Sequence, residues 1–106
     1  MLKQVNQFEE AKTLLRKMMP VARRVLGENH DLTLRMRMIY GRVLCQDDGA
    51  TLDDLREAVL TLEDAARIAR RVLGSAHPDT AEIEASLRAA RAALRARETP
   101  SPPGSA

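Results

Sequence analysis

Two histidines, one cysteine and a set of aspartates are the residues of this 106-residue chain whose types could do chemistry. His30 and His77 stand 47 residues apart. A metal site built on them needs a third His, a Cys or an Asp at ligand spacing. The sequence offers no such set, so each His reads as a polar cap at the start of a helix. Cys45 has no His beside it in sequence. A nucleophilic thiol needs a lowered pKa and a partner base, so Cys45 reads as packed or idle. A single cysteine also excludes an internal disulfide and a cysteine-rich zinc centre, and a reducing, cytoplasmic setting is expected. Asp47, Asp48, Asp53 and Asp54 could suggest a cation site, but the ligand alternation and closing Glu of an EF-hand are missing. They read instead as a solvated acidic turn that favours the start of the next helix. No phosphate loop, dinucleotide fingerprint or Ser/His/Asp arrangement occurs. No catalytic residue, cofactor or metal is therefore expected, and the chain is not expected to be an enzyme.

Composition narrows the remaining classes. The aromatics are Phe8 and Tyr40 alone, which leaves no stacking platform for single-stranded nucleic acid. No apolar run is long enough to span a membrane, and the first residues do not resemble a secretory signal. The net charge of +2 hides a pattern: residues 1–44 carry +5, residues 45–64 carry −6 and residues 65–106 carry +3. An acidic middle between basic flanks is unlike the continuous basic face of a nucleic-acid binder. Fourteen of the 17 basic residues are Arg, which favours planar pairing with carboxylates.

The elements that position these residues read as helices throughout. Ala, Leu, Arg and Glu dominate, and alternating strand patterns are absent. Four helices are expected, at about 7–26, 31–46, 52–73 and 78–97. Asn6 and Glu9 fit a capping box for the first, whose stripe is Phe8, Ala11, Leu15, Met18, Ala22 and Val25. Pro20 lies within it and should kink it. Met36, Ile39, Tyr40, Val43 and Leu44 form the second stripe. Thr51 and Asp54 start the third helix, with the stripe Leu55, Ala58, Leu62, Ala65, Ala69 and Val72. Pro78 opens the fourth, which carries Ile83, Leu87, Ala90 and Leu94 and a Glu84–Arg88 pair at four-residue spacing. Residues 98–106, rich in Pro and Ser, are expected to be disordered.

The most specific feature is a self-match. Arg23-Arg24-Val25-Leu26-Gly27-Glu28-Asn29-His30-Asp31-Leu32-Thr33 aligns with Arg70-Arg71-Val72-Leu73-Gly74-Ser75-Ala76-His77-Pro78-Asp79-Thr80 at an offset of 47 residues. A repeat of this length made of two helices reads as a solenoid. Phe8–Thr33 and Leu55–Thr80 each resemble the kinesin light chain type of tetratricopeptide repeat, on the basic helix ending Val-Leu-Gly and the x-x-His-Pro-Asp-Thr turn. The resemblance spans about residues 7–97. It implies an all-α fold of antiparallel helix pairs stacked as an α-solenoid, and a protein- or peptide-binding role without chemistry. The offset is about five residues longer than that family's usual unit, and the excess falls in the acidic turn from Gln46 to Leu52. Asp31-Leu32 replaces Pro-Asp in the first copy. Met38-Ile39 and Ala85-Ser86 stand where the family often has peptide-holding asparagines.

In this repeat class the first helix of each unit lines the concave surface, which places Arg35, Met38, Arg42 and Cys45 there, with Gly41 at the small position where two helices meet. Glu82, Ala85, Ala89 and Ala92 are the equivalents on the fourth helix. Such a face suits an acidic, partly apolar segment of a partner protein. The bland alternative makes Met36, Met38 and Ile39 ordinary core. The chain reads as a half unit, a full unit and a further first helix, so two other roles stand beside peptide binding. One is self-assembly or capping within a longer array. The other, less favoured, is nucleic-acid binding through Arg88, Arg91 and Arg95.

Overall fold

The computed structural model describes residues 2–98, with side chains from residue 7 onward. It contains α1 (Leu2–Val25), α2 (Asp31–Gln46), α3 (Leu52–Val72) and α4 (Pro78–Glu98), and no strand among the described residues. Each helix packs on the next in order, and α2 also packs against α4. The helices are joined by short turns, as expected of antiparallel neighbours.

The two copies of the repeated turn are built alike. Gly27 and Gly74 have φ of 95° and 94°, a conformation that costs glycine little because it lacks a Cβ. The backbone N–H of His30 then donates to the Gly27 carbonyl, and that of His77 to the Gly74 carbonyl. Each histidine's Nδ1 accepts a backbone N–H two residues on, Leu32 for His30 and Asp79 for His77, both at 3.0 Å. The histidines are helix caps, as their spacing implied. The turn before α3 carries a complete capping box: the Thr51 hydroxyl accepts the Asp54 N–H at 3.0 Å, and the Asp54 carboxylate accepts the Thr51 N–H at 3.1 Å.

The core lies around α3. Leu55, Ala58, Leu62, Ala65 and Ala69 of its stripe are buried, and Val59, Ala66 and Ile68 join them. Small residues let the neighbouring helices approach closely, and Leu34, Met38, Tyr40 and Leu44 of α2 with Ile83 and Leu87 of α4 fill the space between. Gly41 sits against the Leu62 side chain of α3, so close that a Cβ there would meet it.

Several expectations change. The first helix begins at Leu2, not Gln7. The backbone at Asn6 is therefore inside the helix rather than at its N-cap, in keeping with Leu2, Lys3 and Gln4 being good helix formers. Pro20 lies within a single α1, as its continuing stripe implied; it is on an exposed position, where the carbonyl it leaves without a donor can meet water. In the α1 stripe Met18 and Val25 are exposed, and Met19 is buried instead. Among the described residues the backbone of α2 alone comes close to α1, and α3 reaches it through polar side chains, so only part of its apolar arc is covered. Ile39 and Val72 also stand partly exposed. Glu84 pairs with Arg70 of α3 rather than with Arg88. Glu98 belongs to α4, where it lies 3.6 Å from Arg56; the rest of the expected tail, residues 99–106, lies outside the described residues.

Candidate interaction face

The four residues assigned to the concave face occupy positions 35, 38, 42 and 45, steps of three and four that place them along one side of α2. The structure divides them between two adjoining clefts on the α2–α4 side. Arg35 and Met38 line the first together with Asp79, Glu82 and Ile83. Arg42 and Cys45 line the second with Ala85, Ser86 and Ala89. Three of the four equivalents on α4, Glu82, Ala85 and Ala89, thus face their α2 counterparts, while Ala92 is exposed outside both clefts.

The four differ in what they offer. Met38 is only 5% exposed and belongs to the core, so it forms cleft floor rather than an open contact. The Arg35 guanidinium lies 3.6 Å from the Asp79 carboxylate, and its charge is partly answered within the fold. Arg42 is exposed and forms no ion pair among the described residues. Cys45 is half-buried, and that burial pushes its thiol pKa up, which disfavours the reactive thiolate. The face is therefore bipolar: Asp31, Asp79 and Glu82 border its first cleft, and Arg42 stands at the second.

Two polar clusters on the other side of α2 were not visible in the sequence. Arg37 is 3% exposed and pairs with Asp64 of α3, while its Nε and Nη1 find no hydrogen-bond partner. The Tyr40 hydroxyl joins α1 to α3: Arg16 Nε donates to it at 2.7 Å, and it donates to Glu57. The Arg16 guanidinium also lies 5.8 Å from the Tyr40 ring centroid. Burial, together with the Glu57 hydrogen bond, pushes the Tyr40 pKa up to about 12. Nearby, Lys12 is buried between Glu9 at 2.9 Å and Asp54 at 3.6 Å. These clusters tie three helices together.

A family model for the tetratricopeptide repeat matches residues 1–31 and 50–79, over half of the chain, and the second match falls on the second copy of the internal repeat. The chain belongs to the tetratricopeptide repeat family. No curated protein and no solved structure matches it significantly. Tetratricopeptide repeats generally mediate protein–protein interaction, and no helix among the described residues is long and apolar enough to cross a membrane. Of the arginines considered for nucleic acid in this tetratricopeptide repeat protein, Arg91 is engaged by Glu63 of α3 at 2.9 Å, whereas Arg88 and Arg95 are exposed.

Proposed function

We propose that this tetratricopeptide repeat chain is a non-catalytic interaction module, of the kinesin light chain repeat type and in a cytoplasmic setting, that takes a segment of a partner protein along the α2–α4 face. The observation that carries the reading is the alignment of Arg42 and Cys45 with Ala85 and Ala89 beside one open cleft; Arg35 and Glu82 stand further along the same two helices, at a separate small crevice. Small alanines on α4 leave room for a backbone to approach. The unpaired Arg42 favours a carboxylate on the bound segment, and a planar guanidinium can hold it with two hydrogen bonds. Met38 supplies the floor of the neighbouring cleft.

Partner capture by wild-type chain, compared with Arg42→Glu and with the Arg35→Glu/Arg42→Glu double variant, tests this. Arg42→Glu is the cleaner of the two, because Arg35 also answers Asp79 within the fold. Loss of the captured partner with unchanged helix content is expected. Undiminished recovery by both variants overturns the face.

A further inference from the structure

A second surface, remote in character from the polar α2–α4 face, lies at the opposite edge of the stack. Met18, Val21, Val25 and Leu26 at the end of α1, with Leu32 and Met36 at the start of α2, line one open apolar groove. Val21 is 46% exposed, Val25 72% and Leu32 50%. An uncovered apolar patch of this kind marks a contact surface.

The internal repeat says what shape fits it. At the 47-residue offset, Val21 corresponds to Ile68, Leu26 to Leu73 and Met36 to Ile83. In the second copy Ile68 and Ile83 are buried, and Leu73 and Ile83 line the cleft against α2. The surface that α2 covers on α3 and α4 is therefore repeated on α1 and α2, where no helix of the described chain covers it. A helix seated as α2 is seated continues an interface already present in the fold.

Charge then distinguishes the occupants. α2 holds its seat partly through Arg37 to Asp64 and Arg35 to Asp79. At the groove, Lys17 stands in place of Asp64 and Leu32 in place of Asp79. A second copy's α2 would bring Arg37 against Lys17, and it is already buried in its own fold. A second copy's α1, laid antiparallel about Met18, would bring two Lys17 ammoniums together. Like charges across an interface disfavour both arrangements. We propose that the α1–α2 groove seats an amphipathic helix of a partner protein, apolar towards Val21, Leu32 and Met36 and bearing a carboxylate opposite Lys17. This surface is separate from the α2–α4 face, and either can fail without the other.

The probe is a helix-stapled peptide of the α2 sequence, Asp31 to Gln46, carrying Arg35→Leu and Arg37→Glu, titrated into the full chain by fluorescence anisotropy. It is expected to bind at least about fivefold more tightly than the stapled parent sequence, as one added favourable charge pair allows. Lys17→Glu in the chain should invert that preference, and Val21→Asp should abolish binding with circular dichroism unchanged. No binding, equal binding of the two peptides, or indifference to Val21→Asp overturns the proposal. Sedimentation of the chain alone supplies the other arm: a dimer that Val21→Asp dissociates assigns the groove to a second copy and overturns the partner helix, whereas a monomer supports it. Neither result alters capture at Arg42.

Discussion

Gly41 of α2 lies so close to Leu62 of α3 that a Cβ built on the glycine would fall 2.6 Å from Leu62 Cγ and within 2.9 Å of both its methyl carbons. Leu62 is fully buried, so it can yield only by pushing on the core around it. Gly41→Ala should therefore destabilise the chain, although alanine is the better helix former by about 1 kcal/mol. Overpacking of this kind costs about 1–3 kcal/mol, so a net loss is expected, seen as a lower urea midpoint. A companion Leu62→Ala change should relieve the clash and leave the double variant less destabilised than the two single losses added. A stabilised Gly41→Ala protein would show that α2 and α3 can move apart freely.

Tyr40 offers a pH-dependent check. Its hydroxyl is held between Arg16 and Glu57 and keeps its proton up to about 12, whereas an unfolded tyrosine loses it near pH 10. Between those values the folded state binds more protons than the unfolded one. This contribution is thus complete below about pH 10 and declines as pH rises towards 12. Tyr40→Phe should cost about 1 kcal/mol at neutral pH for the lost hydrogen bonds. The gap between wild type and variant should close as denaturation is repeated at increasing pH above about 10. A gap that stays constant over that interval would remove the hydroxyl from the alkaline behaviour.

The start of α3 titrates at the other end of the scale. Burial by itself would raise the Asp54 carboxyl, but the Thr51 backbone and hydroxyl and the charge of Lys12 outweigh it and hold the pKa below its ordinary value. The stabilisation is fully present above the unfolded value of about 4 and is lost as pH falls through the lower folded value. Asp54→Asn should flatten that acid limb. Thr51→Ala should cost about 1 kcal/mol near neutrality, the usual worth of an N-cap. Guanidinium melts between about pH 3 and pH 7 measure both effects; an acid limb unchanged in Asp54→Asn assigns it to other carboxylates.

What the sequence revealed follows from the range of the interactions involved. The Val-Leu-Gly-x-x-His turn was legible because its causes are local: a glycine at positive φ and a histidine accepting an N–H two residues on. The α3 stripe was legible because helices cover that face from two sides. The α1 stripe was only partly so, since which portion of a broad apolar arc is buried depends on whether a second helix lies against it. On the candidate face it was the resemblance to the repeat class that assigned Arg35, Met38, Arg42 and Cys45 to one surface of α2, and it could not show that Met38 is core or that Arg35 is already answered by Asp79. Nothing in the local spacing singles out Arg37, because its burial depends on Asp64, 27 residues away.

Arg37 and Asp64 should respond unequally to mutation. The arginine is almost wholly buried, whereas the Asp64 side chain keeps 33% of its exposure. Removing the carboxylate in Asp64→Ala leaves a buried cation with Glu28 only at 4.0 Å and all three guanidinium nitrogens without hydrogen-bond partners. A loss of about 2–4 kcal/mol is expected, somewhat below that of a fully buried pair because Asp64 is partly screened by water. Arg37→Met removes the charge and the unsatisfied nitrogens together and keeps most of the side-chain volume. It leaves behind an aspartate that can turn to solvent and that retains Arg67 as a partner. That variant should lie within about 1 kcal/mol of wild type. Adding Arg37→Met to Asp64→Ala should therefore restore most of the lost stability, measured by equilibrium urea denaturation of all four proteins. Losses of equal size from the two single variants would mean instead that the pair acts as a net stabilising link between α2 and α3.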